Sequence, residues 1–178
     1  MEDLTGLKRK VQHYKDILAN TETYRKTWCK SFRDEIVKML ETMISETGMN
    51  ATVEVSSDLE NLESIICSLG EGKSGIYQKV NDNLNRPLIK HKGSLVYQQL
   101  FNGKIIALIS YPTIENYGQP QPPKQIGIYR PEELKEPFFV RHMEEFMKEV
   151  TKWEDYDDED PQPAQRIGFR MDSAEAAE

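Results

Sequence analysis

Asn102-Gly103 constrains this chain more than any other pair of residues. It stands between two apolar runs, Ser94 to Phe101 and Lys104 to Tyr111. Asn-Gly in that setting specifies a two-residue type I′ hairpin, because both central residues must take positive φ. A register follows. Phe101 pairs with Lys104, Leu100 with Ile105, Gln99 with Ile106, Gln98 with Ala107, Tyr97 with Leu108 and Val96 with Ile109. One face then carries Val96, Leu100, Ile105, Ala107 and Ile109, with Gln98 as its exception. The other carries Leu95, Tyr97, Phe101, Ile106 and Leu108, with Gln99 and Lys104. Neither face is polar, so either helices cover both or another chain covers one.

Helices are legible on each side of this hairpin. Tyr24, Trp28, Phe32, Ile36, Met39 and Met43 recur at steps of three and four, one stripe on a 3.6-residue period. Thr21 or Thr23 is placed to cap its start, and Gly48 to end it in a left-handed conformation. An earlier stripe, Leu7, Val11, Tyr14 and Leu18, predicts a first helix over 4–18. Asn20-Thr21 divides the two, as an antiparallel helical pair or one long helix bent there. Pro137 opens a last helix with Phe139, Met143, Phe146, Val150 and Trp153 on one side.

Between the helices the period becomes two. Thr52 to Ser56 alternates as a half-wet strand, and 62–69 reads as a second strand. A short strand is expected at 76–80, and Gln125 to Tyr129 reads as the last. The stretch 81–85, followed by Pro87, has loop composition, as does the proline-rich 113–124. The expected fold is therefore α+β: an N-terminal helical pair, an antiparallel meander of about five strands, a C-terminal helix and an acidic tail. Residues 1–153 form one domain on this reading. Residues 154–178 open with six acids in seven positions and are expected to be a mobile tail.

Charge is segregated. Residues 51–72 hold five acids and no base, residues 73–130 hold eight bases against Asp82 and Glu115, and residues 131–178 are net −9. The basic middle carries interleaved tyrosines, so Lys90, Lys92, Lys104, Tyr97 and Tyr111 are candidates for a nucleic-acid stacking platform, with the acidic tail as competitor. The overall pI near 5.1 counts against it. Lysines that guard sheet edges explain the same residues.

Catalytic patterns are incomplete. Gly70-Glu-Gly-Lys-Ser-Gly75 resembles the end of a phosphate-binding loop, but Cys67 stands where the pattern needs glycine, and a glycine-rich hairpin turn accounts for the segment. His13 with Asp16 and His142 with Glu145 each supply two metal ligands where three or four are needed, and read as surface ion pairs. His91, between two lysines, reads as exposed. Asp155, Asp157 and Glu159 imitate a calcium loop that lacks its glycine. Cys29 and Cys67 form no C-x-x-C pair, no apolar run is long enough for a membrane span, and the acidic start is unlike a secretory signal. No cofactor is called for.

A non-catalytic cytoplasmic protein acting through protein contacts is therefore expected, as a homodimer. Tyr97, Phe101, Ile106 and Leu108 are its interface candidates, left exposed if all helices share one side of the sheet. The alternatives are the nucleic-acid reading and an enzyme whose site is assembled from residues distant in sequence.

Overall fold

A computed structural model describes residues 3–156, so the expected tail from residue 157 onward lies outside the described residues. The N-terminal stripes belong to one continuous helical rod. It comprises α1 (Thr5–Thr27), a π-helical turn (Trp28–Phe32) and α2 (Arg33–Thr47). The rod does not divide at Asn20-Thr21. Thr21 and Thr23, rather than capping a helix, donate their hydroxyls to the carbonyls of Ile17 and Ala19 inside α1.

The irregularity comes later, for a reason visible in the spacing. Trp28, Phe32, Ile36 and Leu40 are all buried, and each is four residues from the last. A four-residue step overshoots a 3.6-residue turn by about 40°, so an unbroken α-helix would carry such a row around the rod. The wider π-turn takes up an extra residue and returns the row to one side. Gly48 ends α2 at φ +67°, as its position predicts.

Among the described residues eight strands follow, where about five were expected. β1 (Thr52–Ser56), β2 (Ser64–Ser68), β5 (Ser94–Gln99), β6 (Ile105–Ser110) and β8 (Lys124–Tyr129) form an antiparallel sheet in the order β1-β2-β5-β6-β8. The second sheet is β3 (Glu71–Asn81), β4 (Leu84–His91) and β7 (Thr113–Ile114), ordered β3-β4-β7. The β3–β4 hairpin is thus inserted between two strands that pair directly. The segment read as loop around Pro87 is strand β4. Its partner β7 reaches only Lys90 and His91, so Pro87 lies where that side of β4 has no ladder to complete.

α3 (Glu136–Glu154) completes the fold. Its Phe139, Met143, Phe146 and Val150 join the row from the rod over the inward residues of the large sheet. Those inward residues are Ile65 and Cys67 of β2, Leu95 and Tyr97 of β5, and Ile105, Ala107 and Ile109 of β6. The rod and α3 therefore share one face of the sheet.

Candidate functional site

The register of the β5–β6 hairpin decides which side chains the opposite face offers. Leu95 pairs with Ile109, Val96 with Leu108, Tyr97 with Ala107, Gln98 with Ile106 and Gln99 with Ile105. Each strand is one residue out of the register expected for a two-residue loop. At the tip, Leu100 N donates to Lys104 O (2.7 Å) and Gly103 N to Leu100 O (2.8 Å), and Gly103 alone takes positive φ (+75°). This is the three-residue loop with a glycine bulge. A one-residue slip exchanges the faces of a strand.

The four interface candidates accordingly part company. Tyr97 is fully buried beneath α3, whereas Phe101 stands 76% exposed at the hairpin tip. Ile106 and Leu108 are half-buried on the face away from the helices. Gln99 turns into the core, where its side-chain amide meets no partner among the described residues.

The pairings arrange the outer face in three rows across the strands. One is hydroxylic: Thr52, Ser68, Ser94 and Ser110. The next is Glu54, Ile66, Val96, Leu108 and Gln125. The third is Ser56, Ser64, Gln98, Ile106 and Ile128. Ile66, Val96, Leu108, Ile106 and Ile128 thus make one aliphatic patch, with Glu54 at its β1 end. Neither helix covers it.

A second uncovered apolar surface lies on α1, none of whose residues is buried. Leu4, Leu7, Val11, Tyr14, Ile17 and Leu18 are each 44–61% exposed. Residues 3–20 are exposed without interruption. Partial burial begins at Thr21, and the hairpin tip sits against the rod between Thr21 and Arg25. A Cβ on Gly103 would come within 2.8 Å of Tyr24 Cβ, and Arg25 Nη2 donates to Phe101 O at 2.7 Å. The preceding turns form an arm of about 22 Å at 1.5 Å per residue.

Of the nucleic-acid candidates, Lys90 and Tyr111 both reach the C-terminal half of α3, whereas Tyr97 and Lys104 lie apart from them. Tyr97 is core. Tyr111 donates its hydroxyl to Glu149 (2.8 Å), and burial, with this contact to a carboxylate, pushes its pKa up to about 12. Lys90 pairs with Glu154 and lies 5.0 Å over the Trp153 ring. Lys104 sits at the tip of the hairpin, whereas Tyr111 follows the far end of β6. Much of the basic middle segment answers acids within the chain. Lys124 reaches Glu145 (2.6 Å) and Glu149 (2.7 Å) on α3, which raise its pKa, while Arg86 pairs with Glu115 and Lys79 with Asp82.

His142 is the largest departure from expectation. It forms no surface ion pair with Glu145. It is 3% exposed, with Nδ1 3.0 Å from the Tyr97 hydroxyl and Nε2 3.0 Å from that of Tyr129. Burial, aided by the charge of Arg141, lowers its pKa to about 4. The neutral ring then donates from one nitrogen and accepts at the other, so both phenols are satisfied. Its position between Phe139 and Phe146, at helical spacing, is the signal in the sequence that places it inward.

A cleft of about 320 Å³ opens where the two sheets meet, lined by Ser68, Ser94, Ser110, His91, Tyr111 and Gln121 among others. His91 Nδ1 lies 2.9 Å from Glu71, and both are largely exposed. Ser68 Oγ already accepts from Gly70 N (3.0 Å). Among the described residues no hydrogen bond joins His91 to a serine, so the cleft shows no nucleophile coupled to its base.

The Gly70–Gly75 segment is neither a hairpin turn nor a phosphate loop before a helix. Past Gly70 it runs along β3, with Ser74 Oγ donating to Leu88 O at 2.8 Å. Cys29 is exposed; Cys67 is buried, which pushes its thiol up to about 11. Among the described residues no three metal-ligating side chains cluster, and no helix is long and apolar enough to cross a membrane. No protein-family model matches the chain, and neither the curated proteins nor the solved structures supply a match.

Proposed function

We propose that the chain is a non-catalytic protein that acts through protein contacts, and that a second copy of itself is its first partner. The observation that carries this reading is the α1 arm, whose apolar stripe from Leu4 to Leu18 stays exposed and has no buried side chain among the described residues. Six large apolar side chains aligned on one helix face form a continuous patch. A monomer in water gains nothing from keeping such a patch exposed. A two-fold pair supplies every surface twice, so one geometry covers both copies.

Size-exclusion chromatography with light scattering tests the reading on the full chain. The expected mass is twice 20.7 kDa at tens of micromolar. Leu7→Glu/Tyr14→Glu, two exposed positions, should return the mass to that of one chain while the protein still unfolds in one cooperative transition. A wild-type protein that elutes as a monomer at 100 μM overturns the proposal.

A further inference from the structure

We infer, resting on the self-association proposed above, that the α1 arm of each copy lies across the outer sheet face of the other. Among the described residues two apolar surfaces lack a covering helix, an exposed stripe on α1 and a half-buried sheet face, and reciprocal exchange covers both.

Charge selects this pairing over two arms zipped together. Residues 4–18 carry Lys8, Arg9, Lys10 and Lys15 against Asp16 alone, net +3. On the heptad that places Leu4, Val11 and Leu18 at a, with Leu7 and Tyr14 at d, the flanking e and g positions are Asp3, Lys8, Lys10, Lys15 and Ile17. Two parallel arms would set Lys10 of one against Lys15 of the other at their centre, with Asp3 against Lys8 at the first turn alone. Two antiparallel arms would bring like lysines together across their centre.

The sheet offers the complement. The three rows on its outer face contain no base, and Glu54 ends the aliphatic row. Asp58 and Glu60 are exposed in the adjoining β1–β2 connection. Of the five acids in segment 51–72, Glu63 is answered by Arg33 and Glu71 by His91, which leaves Glu54, Asp58 and Glu60 to face the arm.

The length of the stripe points the same way. Apolar a and d positions run only from Leu4 to Leu18, because the next two are Thr21 and Arg25, which face the hairpin tip. Two heptads fall short of the three or four that sustain a coiled coil. They are sufficient to cross a five-stranded sheet, whose strands stand about 4.8 Å apart.

Two variants separate the possibilities, with all changes at exposed positions. The arm variant is Leu7→Glu/Tyr14→Glu, and the seat variant is Glu54→Lys/Ile128→Lys. Arm exchange predicts that each raises the dimer dissociation constant at least tenfold by sedimentation equilibrium. It also predicts that mixing the two restores partial association, because the intact arm of one meets the intact seat of the other. Far-UV circular dichroism confirms that both are folded. A seat variant that dimerises like wild type overturns the exchange and indicates arm-to-arm pairing, leaving self-association in place. An unaffected arm variant overturns it in favour of sheet-to-sheet contact. A monomeric wild type removes the underlying reading itself.

Discussion

Replacing His142 by glutamine should abolish a defined part of the acid sensitivity of the fold. The imidazole is buried between Tyr97 and Tyr129, and its pKa falls from an ordinary 6.5 to about 4. A base with a depressed folded pKa takes up its proton first in the unfolded chain. Stability is therefore full above pH 6.5, declines as pH drops towards 4, and levels off below that. Linkage over this window gives a loss of about 2 kcal/mol between pH 7.5 and pH 5, and about 3 kcal/mol by pH 4. Urea unfolding followed by tryptophan fluorescence, at pH 7.5 and pH 5, reads this directly. The wild type should lose about 1 M more in midpoint than His142→Gln between the two conditions, for an m-value near 2 kcal/mol/M. Comparing the two slopes cancels the other titrating groups. Among these is Glu149, which burial would raise but which Lys124 and Tyr111 hold below its ordinary value. Parallel pH dependences, within roughly 0.5 kcal/mol, would refute the buried neutral imidazole.

Gly103→Ala should destabilise the chain by about 3 kcal/mol, or roughly 10 °C in Tm. The methyl group would be held at φ +75° and would meet Tyr24 Cβ at 2.8 Å and Thr21 O at 2.9 Å. A shift under 2 °C by scanning fluorimetry would show that the tip is not clamped to the rod. Glu63→Ala should cost about 2 kcal/mol, because it strips the acceptor from the buried Trp28 indole (2.8 Å) and from Arg33 (3.3 Å). Equal urea midpoints for variant and wild type would exclude that anchor.

The helices were legible because amphipathic spacing records which side of a helix is covered, and the rod and α3 follow their stripes closely. The hairpin was legible in place but not in register. In the three-residue loop Phe101 and Asn102 form the turn and Gly103 alone takes positive φ, whereas the two-residue loop needs positive φ at both Asn102 and Gly103. The tip rests on Tyr24, where a Cβ on residue 103 would come within 2.8 Å, a contact no local pattern reports. One residue of slip then carried Tyr97 into the core and left Ile106 and Leu108 outside. The four candidates therefore do not share one face of the sheet. Pro87 concealed β4 because a proline reads as loop unless its side of the strand is known to carry no ladder, and β7 is too short to reach it. His142 was read through its neighbour Glu145 on the helix, when its partners come from β5 and β8, which no local pattern reports.

The segregated charge also takes a different meaning in three dimensions. A basic sheet segment followed by an acidic helix suggests a groove with an external anion in view. In the folded chain Lys124 answers Glu145 and Glu149, and Lys90 answers Glu154, so the middle segment is the counter-charge of α3. Part of the acidic segment 51–72 is answered in the same way, Glu63 by Arg33 and Glu71 by His91, which leaves Glu54, Asp58 and Glu60 facing the +3 arm. The arm gains little from its own domain. An isolated helix of about fifteen residues is marginal in water, and the arm adds a glycine at position 6 and buries no side chain. Its helical state draws little from local propensity or from packing within the chain. On the proposed exchange, the apolar stripe and its lysines gain both terms at once from the sheet of a second copy, so folding of the arm and association become the same event.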